Sequence, residues 1–177
     1  MELGFYRFAN KEPNKLAIVG PNEELVSRGE LLSKANKLTH ALRDLGLKKF
    51  DTVAVVLPNS VEYFVVYMAC LQAGFYLVPI NWHLAGPEIA YILEDSEAKA
   101  FIASGKNPDM EKACINAVSE ISFDKKGCIT IDELEGFRHI DDFTKSMPDE
   151  NPHDRSAGQV MNYTSGTTGK PKGVKRN

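Results

Sequence analysis

The sequence predicts an α/β fold, with a mostly parallel sheet flanked by helices, and three observations lead to this class. The apolar run at residues 53–57 is continuous, as in strands that are covered on both faces. A helix-like segment and a second strand-like segment follow with tight connections, in the order of a βαβ unit. Further helix-like and strand-like segments then alternate to about residue 132, which favours a parallel sheet.

The first predicted elements are a hairpin and a long helix. Short apolar stretches at residues 16–19 and 24–27 surround the turn-forming sequence GPNE, which predicts a small hairpin. Ser27 and Glu30 have the spacing of a capping box, and apolar residues recur every three or four positions after them. Gly46 stands where a left-handed residue ends a helix. An amphipathic helix is therefore expected between the capping box and Gly46.

The segment after that helix predicts a strand, a helix and a second strand. Pro58 ends the strand at 53–57, and Asn59 with Glu62 offers an N-cap for a helix that continues to about residue 73. Gly74 then releases the chain into a strand at 75–80.

This segment includes an uncharged run that has two interpretations. Residues 63–80 carry no charge over eighteen positions, which reaches the lower limit for a membrane span. Gln72, Gly74 and Pro79 interrupt the run, so a buried helix that leads into a buried strand is the preferred interpretation. The aromatic residues of the helix are expected to pack in the core; they are Tyr63, Phe64 and Tyr67.

The remaining elements follow the same alternation. The expected order is a helix that begins near residue 87, a strand at 98–104, a helix at 108–121 and a short strand at 127–132. Residues 146–156 are polar, contain prolines and have no periodicity, so they predict a loop. The last strand candidate, 158–166, leads directly into a glycine-rich run.

Composition and charge limit the classes of function. The chain has 177 residues, of which 43% are hydrophobic, as expected for one soluble domain with a buried core. Its 21 basic and 24 acidic residues are mixed along the chain, so no broad basic face is available for nucleic acid. The three cysteines, Cys70, Cys114 and Cys128, lack metal-ligand spacing and are expected to be reduced core thiols. The first residues lack a signal-peptide pattern, so we expect a cytoplasmic protein without a transmembrane segment, whose membrane association, if any, is peripheral.

The C-terminal run YTSGTTGKPKGVKRN, residues 163–177, has the composition of a phosphate-binding loop. Glycines allow close backbone approach, hydroxyl and N–H groups donate to oxygens, and lysines neutralise charge. The run does not fit the Walker A pattern, because Thr164 stands where the first glycine should be and Pro171 replaces the Ser or Thr after the lysine. Pro171 also disfavours helical geometry at Lys170, so a helix is not expected to begin there. A flexible linker is a poorer interpretation, since a linker has no need of Lys-Pro-Lys-Gly after a buried strand.

The stretch YTSGTTGKPKGV resembles the phosphate-binding signature of the adenylate-forming superfamily, which includes acyl-CoA synthetases, aryl-CoA ligases, luciferases and peptide-synthetase adenylation domains. A second stretch, residues 70–102, resembles the superfamily segment with an Ala-Gly turn, a Val-Pro-Ile-Asn strand end and Asp-Ser-x-Ala-Lys before the next strand. The sequences NWHL and GVKR are most similar to the fatty-acyl-CoA synthetase branch. Many relatives have arginine where His83 stands, and the sequence leaves the role of His83 open.

The resemblance assigns binding roles but no catalytic nucleophile. Hydroxyl donors to the ATP phosphates are expected at Thr164, Ser165, Thr167 and Thr168. Gly166 and Gly169 would permit the close approach, and Lys170 and Lys172 would offset the charge of the leaving pyrophosphate. Thr164 is also expected beside magnesium (Mg2+). The implied reaction activates a carboxylic acid, interpreted as a fatty acid, with ATP to an acyl-adenylate and then transfers the acyl group to coenzyme A.

The resemblance also implies how the chain is organised. We expect an α/β subdomain at residues 1–145, a polar linker at 146–157, and a strand plus phosphate loop at 158–177 that starts a second subdomain. The superfamily's later adenine, ribose and magnesium motifs and its catalytic lysine do not occur in this sequence, so the chain alone is expected to be inactive. Two alternatives stay open: an aryl- or amino-acid-activating relative, and a non-catalytic binding or interaction domain derived from the fold. The acid, its chain length and the oligomeric state stay open too.

Overall fold

A six-stranded parallel sheet organises the computed structural model, which describes residues 4–164 and 171–174. In chain order the strands are β1 (Leu16–Val19), β2 (Leu25–Ser27), β3 (Thr52–Val56), β4 (Tyr76–Pro79), β5 (Ala98–Ala103), β6 (Cys128–Thr130), β7 (Arg138–His139), β8 (Gln159–Val160), β9 (Asn162–Thr164) and β10 (Lys172–Val174). The helices are α1 (Gly4–Lys11), α2 (Arg28–Asp44), α3 (Val61–Ala73), α4 (Gly86–Asp95), α5 (Pro108–Glu120) and α6 (Ile140–Thr144). The large sheet has the order β7-β6-β5-β3-β4-β8, and the β1–β2 and β9–β10 pairs are separate antiparallel hairpins.

Helices cover both faces of the large sheet, which confirms the predicted fold class. All five residues of β3 are buried. Because side chains alternate along a strand, Val53 and Val55 pack in one core with α2, α3 and α6, whereas Ala54 and Val56 pack in a second core with α4 and α5. The continuous apolar run in β3 therefore results from burial on both sides.

The helix ends confirm most of the predicted signals. Ser27 and Glu30 form the expected capping box of α2, and Gly46 adopts a φ of 104° directly after the C-cap residue. Gly74 ends α3 with a φ of 79°, a conformation that favours glycine. The prediction of Asn59 as an N-cap is wrong, because the Oγ atom of Ser60 accepts the hydrogen bond from the Tyr63 N–H, at 3.2 Å.

The uncharged run at residues 63–80 forms most of α3 and then β4, as the preferred interpretation predicted. No helix in the described part of the chain is long and apolar enough to cross a membrane. Tyr63 and Tyr67 pack partly buried against the core, but the placement of Phe64 in the core is wrong, because 45% of it is exposed.

The predicted strand at 158–166 is two strands in the structure. β8 pairs in parallel with β4 at the edge of the large sheet, and the N–H of Met161 donates to the carbonyl oxygen of Leu77 at 2.8 Å. After Met161 the chain leaves this sheet and forms β9, which pairs with β10. The sequence also did not predict α1, β7 or α6, which are short or amphipathic elements at the periphery.

Candidate functional site

The β9–β10 hairpin holds the two ends of the glycine-rich signature side by side. The strands are antiparallel, and Thr164 lies opposite Lys172 in the register. These are the two predicted site residues that the structure describes. The other six lie outside the described residues: Ser165, Gly166, Thr167, Thr168, Gly169 and Lys170.

The hairpin has two faces with different surroundings. Thr164 and Lys172 share the exposed face with Asn162 and Val174, the cross-strand pair two positions along the hairpin. A hydroxyl group and an ammonium group on one exposed surface can together donate hydrogen bonds and positive charge to an anion. The chain continues from Pro171 into a strand and not a helix, which confirms the predicted departure from a Walker loop.

A close backbone approach at Gly158 leads the chain to this hairpin. The N–H of Gly158 donates to the carbonyl oxygen of Leu71 at 2.8 Å. A Cβ atom at this position would lie 2.3 Å from the carbonyl oxygen of Cys70 and 2.6 Å from that of Phe75. Any larger residue would therefore displace the chain from the end of α3, and β8 could not pair with β4 in this register.

A buried polar network fixes the segment before Gly158. The side chain of Gln72, which is 2% exposed, donates to Thr39 at 2.8 Å and to Asn36 at 3.0 Å. Its Oε1 atom accepts a hydrogen bond from the Nε atom of Arg155 at 3.0 Å. Arg155 also donates to Asn151 at 2.6 Å. Residues 151–155 are thus a loop, as predicted, and they are held against α2 and α3 by buried side chains.

The opposite face of the hairpin contacts α4. The Tyr163 hydroxyl group donates to Oδ2 of Asp95 at 2.7 Å, and the Tyr91 hydroxyl group donates to the carbonyl oxygen of Pro171 at 3.1 Å. Burial and the hydrogen bond to Asp95 raise the pKa of the Tyr163 phenol above its ordinary value of 10.0. The phenol therefore keeps its proton at neutral pH and acts as the donor.

Sequence reasoning did not identify these contacts with α4. Tyr91 and Asp95 are four residues apart, and this spacing places them on one face of the helix. That spacing was the available signal, but Asp95 and Tyr163 are 68 positions apart in the chain, and no local pattern relates them.

His83 is exposed at the end of the loop that follows β4. Its ring stacks on Trp82, with ring centroids 3.5 Å apart, and the backbone N–H of His83 donates to Oδ1 of Asn81 at 3.1 Å. These contacts describe a turn that leads into α4, where Glu88 accepts from the N–H of Ala85 at 2.9 Å.

Comparison with known proteins identifies the family. The model of the family described as AMP-binding enzyme matches residues 5–177. Long-chain-fatty-acid–CoA ligase FadD13 of Mycobacterium tuberculosis is 32% identical over an alignment of 170 residues that covers 94% of this chain and 32% of the relative. Fatty acid–[acyl-carrier-protein] ligase ScoC of Streptomyces coeruleorubidus is 32% identical over 173 residues, covering 94% of this chain and 30% of the relative.

A solved structure agrees with the family match. The anthranilate CoA ligase AuaEII, in complex with anthranoyl-AMP, superposes with a TM-score of 0.80 and 25% identity, over 96% of this chain and 33% of that chain. The fold is therefore that of adenylate-forming CoA ligases. The chain belongs to the AMP-binding enzyme family, and it spans about a third of the length of the relatives that it matches.

Proposed function

We propose that the complete protein that contains this chain is an AMP-forming acyl-CoA synthetase, and that it activates a fatty acid with ATP before transfer to coenzyme A. The hairpin is the observation that carries the proposal. Its register places Thr164 directly opposite Lys172, at the two ends of the signature whose seven intervening residues are rich in hydroxyl and glycine. The family match supports the same class of reaction.

In the proposed first step, a carboxylate oxygen of the acid attacks the α-phosphorus of ATP. The bond from that phosphorus to the bridging oxygen breaks, and the products are an acyl-adenylate and pyrophosphate. Lys172 would stabilise the negative charge that collects on the leaving pyrophosphate, and Thr164 would donate a hydrogen bond to it. Ser165, Thr167, Thr168 and Lys170 are proposed as further donors, with Gly166 and Gly169 allowing the approach.

In the proposed second step, the thiol of coenzyme A attacks the acyl carbonyl carbon. AMP leaves with the bonding electrons, the thiol proton is released, and the product is a thioester. None of the proposed residues acts as a nucleophile, so their contribution is binding and charge stabilisation.

Magnesium fits the chemistry of the one candidate ligand that the structure describes. The Thr164 hydroxyl group is an exposed oxygen donor, and Mg2+ binds oxygen ligands while it keeps several waters and substrate phosphates. The described residues contain no group of three or more His, Cys, Asp or Glu that could hold a metal ion. We therefore propose Thr164 as a protein contact of an ion that ATP brings, where it would neutralise phosphate charge.

The acid is the least constrained part of the proposal. FadD13 and ScoC are named for fatty acids, which supports a fatty-acid substrate for this protein too. AuaEII is named for anthranilate, so an aromatic acid is the second candidate. The acceptor is also a choice between two thiols, because ScoC is named for an acyl-carrier protein.

A product assay on the complete protein distinguishes these candidates. The protein is incubated with ATP, Mg2+ and a panel of a long-chain fatty acid, anthranilate and an amino acid, each with coenzyme A or with a carrier protein. We expect AMP and a fatty-acyl-CoA thioester, both detected by mass spectrometry, and neither when the acid is omitted. A larger yield from anthranilate would replace the fatty acid with the aryl alternative. If none of the acids in the panel leads to AMP, the proposed function is rejected.

The 177-residue chain is the natural comparison in that assay. We propose that it forms no thioester by itself, because the relatives are about three times as long. In the proposed organisation, residues 1–145 are one subdomain, residues 146–157 are a linker, and residues 158–177 start a second subdomain. Turnover by the isolated chain would contradict this organisation. We also propose a cytoplasmic location, which the three buried free thiols of Cys70, Cys114 and Cys128 support.

A further inference from the structure

We propose that contacts between α4 and the β9–β10 hairpin set the affinity of the protein for the phosphates of ATP. This inference rests on the proposed function. The contacts form a cluster that we call the tyrosine clasp: Tyr91 and Asp95 on α4, Tyr163 on β9, and Pro171 directly before β10. The clasp residues are positioning residues, since they lie on the face of the hairpin opposite Thr164 and Lys172.

The clasp holds both strands of the hairpin to one helix. Tyr163 donates from β9 to Asp95, at 2.7 Å, and Tyr91 donates from α4 to Pro171, at 3.1 Å. Tyr91 also lies 3.4 Å from Oδ1 of Asp95, a longer contact, and its single hydroxyl proton can serve only one acceptor well. Because β9 and the residue directly before β10 each bond to α4, the position of the hairpin relative to the helix is fixed at two points.

Gly173 makes the first of these bonds possible. It lies opposite Tyr163 in the register, and the tyrosine ring passes over it. A Cβ atom at position 173 would lie 3.0 Å from two ring carbon atoms and 3.1 Å from the hydroxyl oxygen. A side chain there would require the ring to shift by a few tenths of an ångström, so this glycine of the signature leaves room for the ring that bonds to Asp95.

The exposed face of the hairpin depends on the clasped face. The two faces belong to the same three cross-strand pairs, so a rotation of Tyr163 and Gly173 away from α4 also rotates Thr164 and Lys172. The described residues of the hairpin form three such pairs, and an isolated pair of short strands is marginally stable in water. Contacts with α4 therefore determine how well Thr164 and Lys172 are held in one place for an anion.

Hydrogen exchange tests the clasp itself, independently of catalysis. In the 177-residue chain, Tyr163→Phe removes the donor and keeps the ring. We expect exchange at residues 162–164 and 172–174 to become roughly five- to tenfold faster, while exchange in β3 stays unchanged. Gly173→Ala should act in the same direction but less strongly, because the added methyl group requires the ring to shift. Tyr67→Phe, at another partly buried tyrosine, is the control and should leave the hairpin unchanged.

Kinetics of the complete protein test the positioning role. For Tyr163→Phe we expect KM for ATP to rise roughly five- to tenfold, with KM for the acid and for coenzyme A within about twofold of wild type. Asp95→Leu should raise KM for ATP as much as Tyr163→Phe does. The double variant should raise it no further, because both single changes remove the same bond, between Tyr163 and Asp95. Asp95→Asn keeps an acceptor oxygen and should restore part of the ATP affinity.

Each outcome decides a different claim. Unchanged hydrogen exchange in Tyr163→Phe and Gly173→Ala overturns the clasp. Faster exchange with an unchanged KM for ATP shows a contact that is only structural, and this overturns the positioning role. A wild-type protein that forms no acyl-adenylate rejects the proposed function and the positioning role with it, whereas the exchange experiment still decides whether the clasp exists.

Discussion

Strands β3 and β9 show two ways in which this chain holds a strand in place. β3 pairs on both sides with parallel strands, and all five of its residues are buried between two helical layers. β9 pairs on one side with β10, none of its residues is buried, and the hydroxyl group of Tyr163 bonds to Asp95 on α4. Apolar burial stabilises the first strand, and a few polar contacts orient the second.

The comparison teaches that stability and proposed chemistry reside in different parts of the chain. Substitutions in the core should lower the free energy of unfolding, whereas substitutions in the hairpin should change ligand binding with little effect on that free energy. The predictions that follow test this separation.

Phe101→Ala should have the largest effect on stability. Phe101 is fully buried in β5, with ring centroids 5.9 Å from Phe137 and 6.4 Å from Phe123. Removing the ring leaves a cavity, so the free energy of unfolding should fall by about 3–5 kcal/mol, as measured by denaturant titration. Phe64→Ala is the matched control, and because 45% of Phe64 is exposed, it should cost less than about 1 kcal/mol. Equal losses in the two variants would contradict the assignment of the core.

Gln72→Leu should have the next largest effect. The change removes the buried hydrogen bonds that join Gln72 to Arg155 and Thr39, so we expect a loss of about 1–3 kcal/mol in the free energy of unfolding. Gln159→Leu is the control, because the buried Oε1 of Gln159 has no hydrogen-bond partner among the described residues. The control should be near neutral, and a control that loses as much as Gln72→Leu would reject the importance of the network.

Ser60→Ala should lower the free energy of unfolding by about 1 kcal/mol, since Ser60 caps the first turn of α3. The neighbouring variant, Asn59→Ala, should change it by less than about 0.5 kcal/mol, because Asn59 is exposed and precedes the cap. Thermal unfolding of the two variants measures the difference. The reverse order would restore the assignment of Asn59 as the cap.

The cysteine thiols should give the smallest effect at moderate pH. Burial, and then the Asp124 carboxylate, raise the pKa of Cys128 from the ordinary value of 9.0 to about 11. Burial and the Asp132 carboxylate raise the pKa of Cys114 to about 12. A raised thiol pKa means that the unfolded chain releases the proton first, so this contribution to stability is complete at neutral pH, begins to fall as the pH approaches the unfolded pKa of 9.0, and is lost as the pH rises through about 11.

Between pH 7 and pH 9, Cys128 alone should account for a loss of about 0.4 kcal/mol in the free energy of unfolding. Denaturant titrations at the two pH values, with Cys128→Ala as the control, measure this difference.

A thiol reagent at pH 8 should label the unfolded chain and leave the folded chain unlabelled, because all three cysteines are buried. Rapid labelling of the folded chain would contradict their placement in the core.

The parts of the fold that could be predicted have local causes. The two-sided burial of β3, the capping box at Ser27 and the left-handed glycine at position 74 each leave a pattern within a few residues. The choice between Asn59 and Ser60 could not be predicted, because both residue types cap helices and tertiary packing decides where the first turn begins. The exposure of Phe64 depends likewise on which helix faces remain uncovered.

The candidate site was predictable in composition and not in geometry. The signature indicated an anion site. The sequence pattern of residues 158–164, however, is that of one continuous strand. The break at Met161 depends on its bond to Leu77, and the orientation of β9 depends on Asp95, and both partners are distant in sequence. Which face of the hairpin carries Thr164 and Lys172 therefore follows from tertiary contacts.

Acid-dependent exchange of labelled pyrophosphate into ATP tests the central claim most directly, because it measures the proposed first step at the hairpin. In the complete protein we expect exchange with a fatty acid, and a decrease of about 10- to 100-fold in Lys172→Ala with an unchanged unfolding midpoint. Lys112→Ala, at an exposed lysine of α5, should retain wild-type exchange. Absence of exchange with every acid, or wild-type exchange in Lys172→Ala, would contradict the claim that this hairpin serves acid activation.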